Sequence, residues 1–363
     1  MVLSCLALSG CEEKLDTLTI QMEPQLSVNA LWDASEPTHR IYCSSISRGE
    51  AIPVEDAVIE ISVNNQLIET VEHAEEDAPE LYLATCPLRS GDRVRLKVTC
   101  PAFPQGVWAE TVVPEPFAVP KAKAEVEYQS FYKQEAEPYY KATLSLEKRG
   151  EVATYGRILS GIWATHVYGK VVMDFADGTI LEELADTLEV DSVFEVKVLD
   201  DLCLTDGKGY VENSEDDMLG FNPVWQNHYH LFTDKYFSDG AYRMHYYVSQ
   251  SRKPGFSLLS DDSHTINSRN HPLYGCRYTV LSASDDGRIK TILYAKTEEY
   301  ALFYEVHSLT EAEYYYLQTL STERDLADTN MAYTKPLFLT QNVQGGLGFF
   351  AIESVVRGRI PID

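Results

Sequence analysis

Two histidines near the middle of the chain have a spacing that could serve a metal ion. His228 and His230 lie two residues apart, so both imidazoles fall on one face if the segment is a strand. A zinc site needs a third and a fourth ligand, and the chain offers His245, His264 and His271. No HExxH or CxxC motif supports such a site. We therefore predict structural histidines and no bound metal.

A run of acidic residues raises the alternative of a calcium site. Fifteen acids and two lysines lie between Asp174 and Asp217, and Ca²⁺ takes carboxylate and carbonyl oxygens as ligands. The loop at 200–217 does not fit an EF-hand, because a glycine at the sixth position would place Leu202 at the first. We favour a solvated acidic loop, with a loosely ordered calcium site as the alternative.

The glycine-rich stretch QGGLG at 344–348 does not have the context of a phosphate-binding loop. That loop requires GK[ST] and a helix whose first amides bind the anion, whereas here the strand-like FFAIESVV follows. We predict a glycine bend that lets the last strand pack closely.

No motif for nucleophilic catalysis is present, since the chain has no GxSxG elbow and no paired Cys/His signature. A glycosidase-like pair of carboxylates stays open because acidic residues are plentiful. We predict no catalytic residues, no cofactor and no enzymatic activity. The net charge of −26 also argues against a nucleic-acid partner, because such a surface repels phosphate backbones.

The sequence predicts that most of the elements that position these residues are β-strands. From 26 to 117 several short alternating segments follow one another, and in one of them Ile59 and Ile61 alternate with polar residues before a tight turn at Asn64-Asn65. This series of short alternating strands predicts an immunoglobulin-like β-sandwich. The proline-containing segment that follows predicts a linker at 118–127.

Residues 128–363 predict a larger, antiparallel β-barrel-like domain, because many strands follow in series. Two of its hairpins are predicted to turn at Arg149-Gly150 and at Asp286-Gly287. The fold class is therefore mainly β, with one or two short helices.

One helix is predicted near 310–324. Thr310 is its N-cap residue and Glu313 completes a capping box. Its tyrosine-rich face is a candidate ligand platform, but we expect it to pack on the barrel-like domain.

The first ten residues, MVLSCLALSG, predict an export signal, since they are apolar and end in small residues. Leu8-Ser9-Gly10-Cys11 resembles the lipobox of bacterial lipoproteins, which implies cleavage before Cys11 and lipid attachment to its sulfur. We assign 1–10 to a lipoprotein signal peptide, truncated because no Lys or Arg precedes Cys11, and 11–25 to a lipidated tether. Each buried methylene of the lipid contributes about 0.8 kcal/mol to membrane binding.

Three further stretches carry a resemblance to a known family. They are LSVNALW, HLFTDKYFSDGAYRM at 230–244, and FYEVHSLTEAEYYYLQTL followed by PLFLTQNVQGGLGFFAIES at 336–354. With the lipobox, their order and spacing resemble the domain-of-unknown-function 4249 family of Bacteroidetes outer-membrane lipoproteins. This family has no established catalytic residues to carry over.

The resemblance implies an outer-membrane lipoprotein displayed on the cell surface, in a family whose members are often encoded beside TonB-dependent receptors. The function that we expect is a binding or accessory role beside a TonB-dependent transporter, in the capture of a small nutrient, peptide or glycan. The alternatives are a cell-surface adhesion or structural protein and, less favoured, an enzyme acting on glycans or peptides.

Overall fold

The computed structural model describes residues 23–47, 50–129, 136–149, 153–184, 196–197, 231–250, 255–256, 258–328 and 340–362. Within these ranges the chain forms one α-helix, α1 (Glu311–Asp328), and the following strands. They are β1 (Gln25–Asp33), β2 (His39–Ser47), β3 (Glu50–Pro53), β4 (Val58–Val63), β5 (Gln66–Val71), β6 (Leu81–Ala84), β7 (Arg93–Cys100), β8 (Phe103–Val112), β9 (Lys121–Gln129), β10 (Glu137–Glu147), β11 (Tyr155–Asp174), β12 (Thr179–Leu184), β13 (Val196–Lys197), β14 (Leu231–Thr233), β15 (Ala241–Ser249), β16 (His264–Thr265), β17 (Arg277–Ala283), β18 (Ile289–Ser308) and β19 (Leu347–Pro361). The prediction of a mainly β fold is confirmed. No helix in these ranges is long and apolar enough to cross a lipid bilayer.

The strands form three sheets. The largest has twelve strands along the path β12-β11-β18-β19-β1-β2-β3, a second has the order β5-β4-β7-β8, and a third has the order β15-β10-β9. The large sheet is mixed, because β1 pairs in parallel with β19 while the other pairs along its path are antiparallel. The C-terminal strand therefore lies beside the first strand described.

The first core lies between β1, β2 and β6 of the large sheet and the four-stranded sheet. Alternate side chains of both sheets meet there, as expected of a sandwich. The turn predicted at Asn64-Asn65 is confirmed, with φ of 51° and 68° joining β4 to β5. The positive φ at both positions matches the right-handed twist of the two strands, which is why two asparagines are suited to the turn.

The second core lies between β11, β18 and β19 on one side and the three-stranded sheet on the other. The hairpin predicted at Arg149-Gly150 is wrong: β10 pairs with β9 and β15, whereas β11 pairs with β18 in the large sheet. Because no ladder joins these two sheets among the described residues, they remain open and form no closed barrel there. The segment 118–127, predicted as a linker, contributes β9 to the smaller sheet. The domain boundaries themselves stay a prediction.

Two local turn predictions in the second half are confirmed. Gly287, with φ of 68°, turns β17 into β18 at Asp286-Gly287. The glycines of QGGLG give the close approach expected of a bend, since a Cβ at Gly348 would lie 2.0 Å from the carbonyl oxygen of Val28. This approach is what allows β19 to pair with β1.

The predicted helix is confirmed and begins at Glu311, with the amide of Glu313 donating to the Thr310 hydroxyl at 3.2 Å. Tyr316 packs as expected, its ring stacked on Phe349 at 4.2 Å between centroids. Tyr315 instead faces solvent, with 47% of its surface exposed. The tyrosine-rich face is therefore packed only in part.

A buried tyrosine fixes the chain between β3 and β4. The Tyr82 hydroxyl donates to the Val54 carbonyl at 2.7 Å and accepts from the Ala57 amide at 3.0 Å. We expect Tyr82→Phe to lower the free energy of unfolding by about 2 kcal/mol, because both backbone groups are left without a partner. Urea denaturation measures this loss, and Tyr42→Phe, on an exposed side chain of β2, is the control. Equal stability of the two variants would contradict the prediction.

Candidate functional site

Six ionisable side chains meet where α1 lies against β11, β18 and β19. We call them the His307 network; its members are Arg157, Glu305, His307, Glu313, Glu353 and Arg357. At its centre, the Nδ1 of His307 donates to Glu353, and its Nε2 donates to Glu305 at 3.2 Å. His307 is only 4% exposed, so both hydrogen bonds lie away from bulk water. An imidazole that donates from both nitrogens is the charged imidazolium form.

The two carboxylates of His307 hold the imidazolium charge. Burial by itself lowers the pKa of His307, but the hydrogen bonds to Glu305 and Glu353 outweigh it and raise that pKa above 6.5. The same contact lowers the pKa of Glu305. Because the imidazolium is paired on both sides, it cannot accept a proton and is unsuited to act as a general base.

Glu353 joins β19 to β11 and to the helix. Its Oε1 accepts from the Nη2 of Arg157 at 2.7 Å. Although burial opposes ionisation, the hydrogen bond from His307 and the charge of Arg157 lower the pKa of Glu353 to about 2. Glu353 is therefore an ionised carboxylate in the interior of the protein.

Glu313 of α1 lies fully buried beside Glu353. Burial raises its pKa well above 4.5, and the neighbouring charge of Glu353 adds to this effect. The hydrogen-bond contact with Glu353 raises the pKa of Glu313 further, because a carboxyl that donates to a carboxylate must keep its proton. The helix is thus connected to the sheet by a carboxylic acid–carboxylate pair.

Arg357 connects the network to the end of β1, the strand that pairs with β19 in the large sheet. Its Nε donates to Glu305 at 3.1 Å, and its Nη2 donates to Asp33 at the end of β1. Its Nη1 donates to the Ser35 hydroxyl at 2.9 Å. One guanidinium therefore links β18 and β19 to the turn that follows β1.

A cleft of about 230 Å³ lies beside the network and shares Glu305 and Arg357 with it. The guanidinium of Arg359 lies 3.4 Å from the ring centre of Trp163, a cation–π contact, and makes no ion pair with a described residue. Trp163 is 6% exposed, and its indole N–H has no hydrogen-bond partner among the described residues. The cleft is thus lined by an exposed cation and by a tryptophan whose buried N–H is an unused donor.

Most of the residues singled out from sequence do not contribute to this site. Cys11, His228, His230 and the loop at 200–217 lie outside the described residues. His245 contacts Thr143 at 2.9 Å, whereas His264 is exposed. No group of three or more His, Cys, Asp or Glu side chains in the described part of the chain is placed to hold a metal ion.

The His307 network was missed by motif searching, although the sequence carries a signal for it. Glu305 and His307 alternate with apolar residues in β18, and so do Arg357 and Arg359 in β19. In a strand, residues two apart share a face, and charge on an otherwise apolar strand indicates a partner on the neighbouring strand. The ladder pairs Glu305 with Arg357 and His307 with Arg157.

Comparisons with solved structures give only remote likenesses. A chain described as a membrane anchored protein from Corynebacterium diphtheriae is 12% identical, with a TM-score of 0.18 over 78% of this chain and 54% of that one. The chain thus spans about half the length of the Corynebacterium protein. A B domain of a biofilm associated protein is 6% identical, with a TM-score of 0.16 over 92% of this chain and 85% of that one. TM-scores this low carry no argument about fold or function.

No curated protein matches the chain. A family model does, described as Domain of unknown function (DUF4249), and it matches residues 12–359. This range includes β1, the whole His307 network and the Trp163–Arg359 cleft. The match extends over nearly the entire chain, and the protein therefore belongs to the DUF4249 family.

Proposed function

We propose that the protein is a surface-anchored lipoprotein of the outer membrane that binds a ligand without chemically changing it. The anchor is the lipid on Cys11, attached after cleavage of residues 1–10, and the partner is a TonB-dependent receptor that takes up the captured nutrient. The lipobox supports the anchor. The pairing of both His307 ring nitrogens with carboxylates, which leaves neither nitrogen free to accept a proton, supports binding rather than turnover.

The observation that carries the binding role is the pair of unused polar groups in the Trp163–Arg359 cleft. An exposed guanidinium and a buried indole N–H both donate hydrogen bonds, so the group that suits them is an acceptor, best a carboxylate. The volume of about 230 Å³ is below the roughly 300–1,000 Å³ of pockets that enclose a whole ligand. The cleft therefore suits one acidic group of a small nutrient or peptide.

The rigidity behind the cleft also favours binding. Glu305 and Arg357 line the cleft and are held from behind by His307 and Asp33. Side chains fixed in this way lose little conformational freedom when a ligand arrives. The conformational entropy of these side chains is therefore lost during folding and not during ligand binding.

Co-purification from the native membrane tests this function. The full chain with its own anchor is extracted in detergent, and co-eluting proteins and small molecules are identified by mass spectrometry. We expect a TonB-dependent receptor and an acidic nutrient. Recovery of neither would contradict the proposal, and a deletion strain that loses only attachment would favour the adhesive alternative.

Arg359→Ala is the matching variant for the cleft. Because the Arg359 side chain is exposed, its removal should leave the fold intact and lower the amount of captured acidic ligand at least about tenfold, as expected for loss of a charge-assisted hydrogen bond. Arg269→Ala, on an exposed arginine outside the cleft, is the control. Equal capture by both variants would show that the cleft is not the binding site.

A further inference from the structure

A second pocket lies where the long ladder of β11 and β18 ends, apart from the Trp163–Arg359 cleft. The turn after β11, at 175–178, forms one wall, and the loop between β16 and β17 forms the other. Its volume is about 420 Å³, within the roughly 300–1,000 Å³ of pockets that enclose small molecules. The pocket is therefore large enough to hold a complete small ligand.

The hydrogen-bonding groups of this pocket are mostly uncharged. Asn267, Ser268 and Asn270 line the wall formed by the loop. Amide and hydroxyl side chains both donate and accept, so they suit a ligand whose groups do the same. Hydroxyl groups have this property, whereas phosphates and carboxylates only accept.

His271 adds a donor of fixed position. Its Nδ1 accepts from the Leu273 amide at 2.9 Å, which makes the neutral tautomer carry its proton on Nε2. That Nε2 is shielded from solvent and has no partner among the described residues. Because His271 lines the pocket, this N–H group is an unused donor in the pocket wall.

Two aromatic rings supply an apolar surface next to these groups. Phe175 and Tyr278 both line the pocket, with their centroids 5.7 Å apart and their planes inclined by 54°. The faces of such rings carry negative charge and attract weakly positive C–H groups. One face of Phe175 is contacted by Lys290, 4.4 Å from its centroid.

The one carboxylate among the residues that line the pocket, Asp177, disfavours anionic ligands. Hydrogen bonds from the hydroxyl and the amide of Thr179 lower the pKa of Asp177, so this side chain is ionised at neutral pH. An anionic ligand would be repelled, while a hydroxyl group could donate to the carboxylate. The absence of a clustered set of His, Cys, Asp or Glu ligands in the described residues leaves a metal ion without support.

We propose that this pocket binds a neutral saccharide. A pyranose ring has hydroxyl groups that both donate and accept, C–H faces that pack on aromatic rings, and no charge to oppose Asp177. The His271 Nε2–H would donate to a sugar oxygen, and Asn270 would bind neighbouring hydroxyls. This site is separate from the Trp163–Arg359 cleft, and its assignment stands independently of the receptor partnership.

Binding of simple sugars to the purified full chain in detergent tests the assignment. The probes are methyl α-glucopyranoside, methyl β-galactopyranoside, methyl α-mannopyranoside and N-acetylglucosamine, measured by saturation-transfer NMR and by calorimetry. We expect at least one to bind with millimolar affinity. His271→Leu and Asn270→Ala should each weaken that binding about fivefold to tenfold, because each removes a hydrogen bond.

Two variants and a control allow the sugar-binding result to be interpreted even if one variant does not fold. Asn270 is exposed, so Asn270→Ala reports on the pocket even if His271→Leu proves unstable. His73→Ala, on an exposed histidine elsewhere in the chain, should bind sugar as the unaltered protein does. Lack of binding by all four sugars, or full binding by Asn270→Ala, would overturn the assignment. The assay uses no receptor, so a failed receptor co-purification cannot affect its outcome.

Discussion

At pH 7, replacing Glu313 with Gln should raise the free energy of unfolding by about 2 kcal/mol. In the folded protein Glu313 is fully buried and its pKa is raised well above 4.5, so it is a neutral acid beside the carboxylate of Glu353. In the unfolded chain the same group ionises near pH 4.5, which favours unfolding at neutral pH. Gln is neutral in both states, and its amide still donates to Glu353.

Whether Glu313→Gln stabilises the protein depends on the pH, and the direction of this dependence follows from the raised pKa of Glu313. A group whose pKa is raised by folding contributes its full stability below the unfolded pKa, and this stability is lost as the pH rises through the folded pKa. For Glu313 the loss therefore begins near pH 4.5. Glu313→Gln should show little change at pH 4.5 and a growing advantage at higher pH, by up to about 1.4 kcal/mol per pH unit.

His307 and Glu353 also make stability depend on pH, in different pH ranges and in opposite directions. The raised pKa of His307 makes its contribution complete below pH 6.5 and lost as the pH rises through the folded value. The pKa of Glu353, lowered to about 2, gives stability above pH 4.5 that is lost as the pH falls toward 2. Both effects should persist in Glu313→Gln, so only the difference between the two proteins reports on Glu313.

Urea denaturation at several pH values between 4.5 and 7.5 provides the measurement. Glu299→Gln, on an exposed glutamate of β18, is the control and should change the free energy of unfolding by less than about 0.5 kcal/mol. If Glu313→Gln were less stable than the unaltered protein at pH 7, Glu313 would be ionised in the fold and the acid–carboxylate pair would be wrong.

The turns and short strands could be predicted from sequence because their signals are local. Asn64-Asn65 specifies the backbone of a two-residue turn, and Asp286-Gly287 lies in the short loop between β17 and β18. In both cases the strands on either side must then pair. The same is true of Thr310, whose hydroxyl caps the helix that follows. Nothing distant in the chain has to be known for these assignments.

The partners of β10 could not be predicted, since that choice depends on distant residues. An alternating segment before and after Arg149-Gly150 resembles a hairpin, but the pattern is equally satisfied by β9 and β15 as partners. The parallel pair of β1 and β19 connects residues more than three hundred positions apart, and no local signal indicates it. The barrel-like domain was predicted because many strands follow in series, and such a series does not indicate which of the strands pair.

The candidate site was hidden from sequence for a related reason. Each member of the His307 network is an ordinary ionisable residue in its own segment. The pairing of β11, β18 and β19, with α1 packed against them, brings these residues together. The networks and pockets of this protein are therefore a product of long-range strand pairing.

Gly348→Ala should remove more than about 4 kcal/mol of stability. Gly348 has φ of 111°, a conformation that side chains rarely adopt, and an added Cβ would lie 2.0 Å from the carbonyl oxygen of Val28 and 2.7 Å from its carbonyl carbon. Both atoms belong to the backbone of β1. They cannot move aside without breaking the parallel ladder in which Val28 is opposite Gly348.

The matched control separates the contact from the backbone conformation. Gly91 has φ of 85° but no atom within 4 Å of an added Cβ, so Gly91→Ala should cost only about 1 kcal/mol, from the strained φ. Thermal unfolding followed by circular dichroism compares the two variants, and soluble yield reports on Gly348→Ala if it does not fold. Similar losses for both would mean that strain at φ, and not the approach of β19 to β1, sets the requirement for glycine. A much larger loss at Gly348 would instead show that a carbonyl of β1 leaves no room for a side chain where β19 pairs with β1.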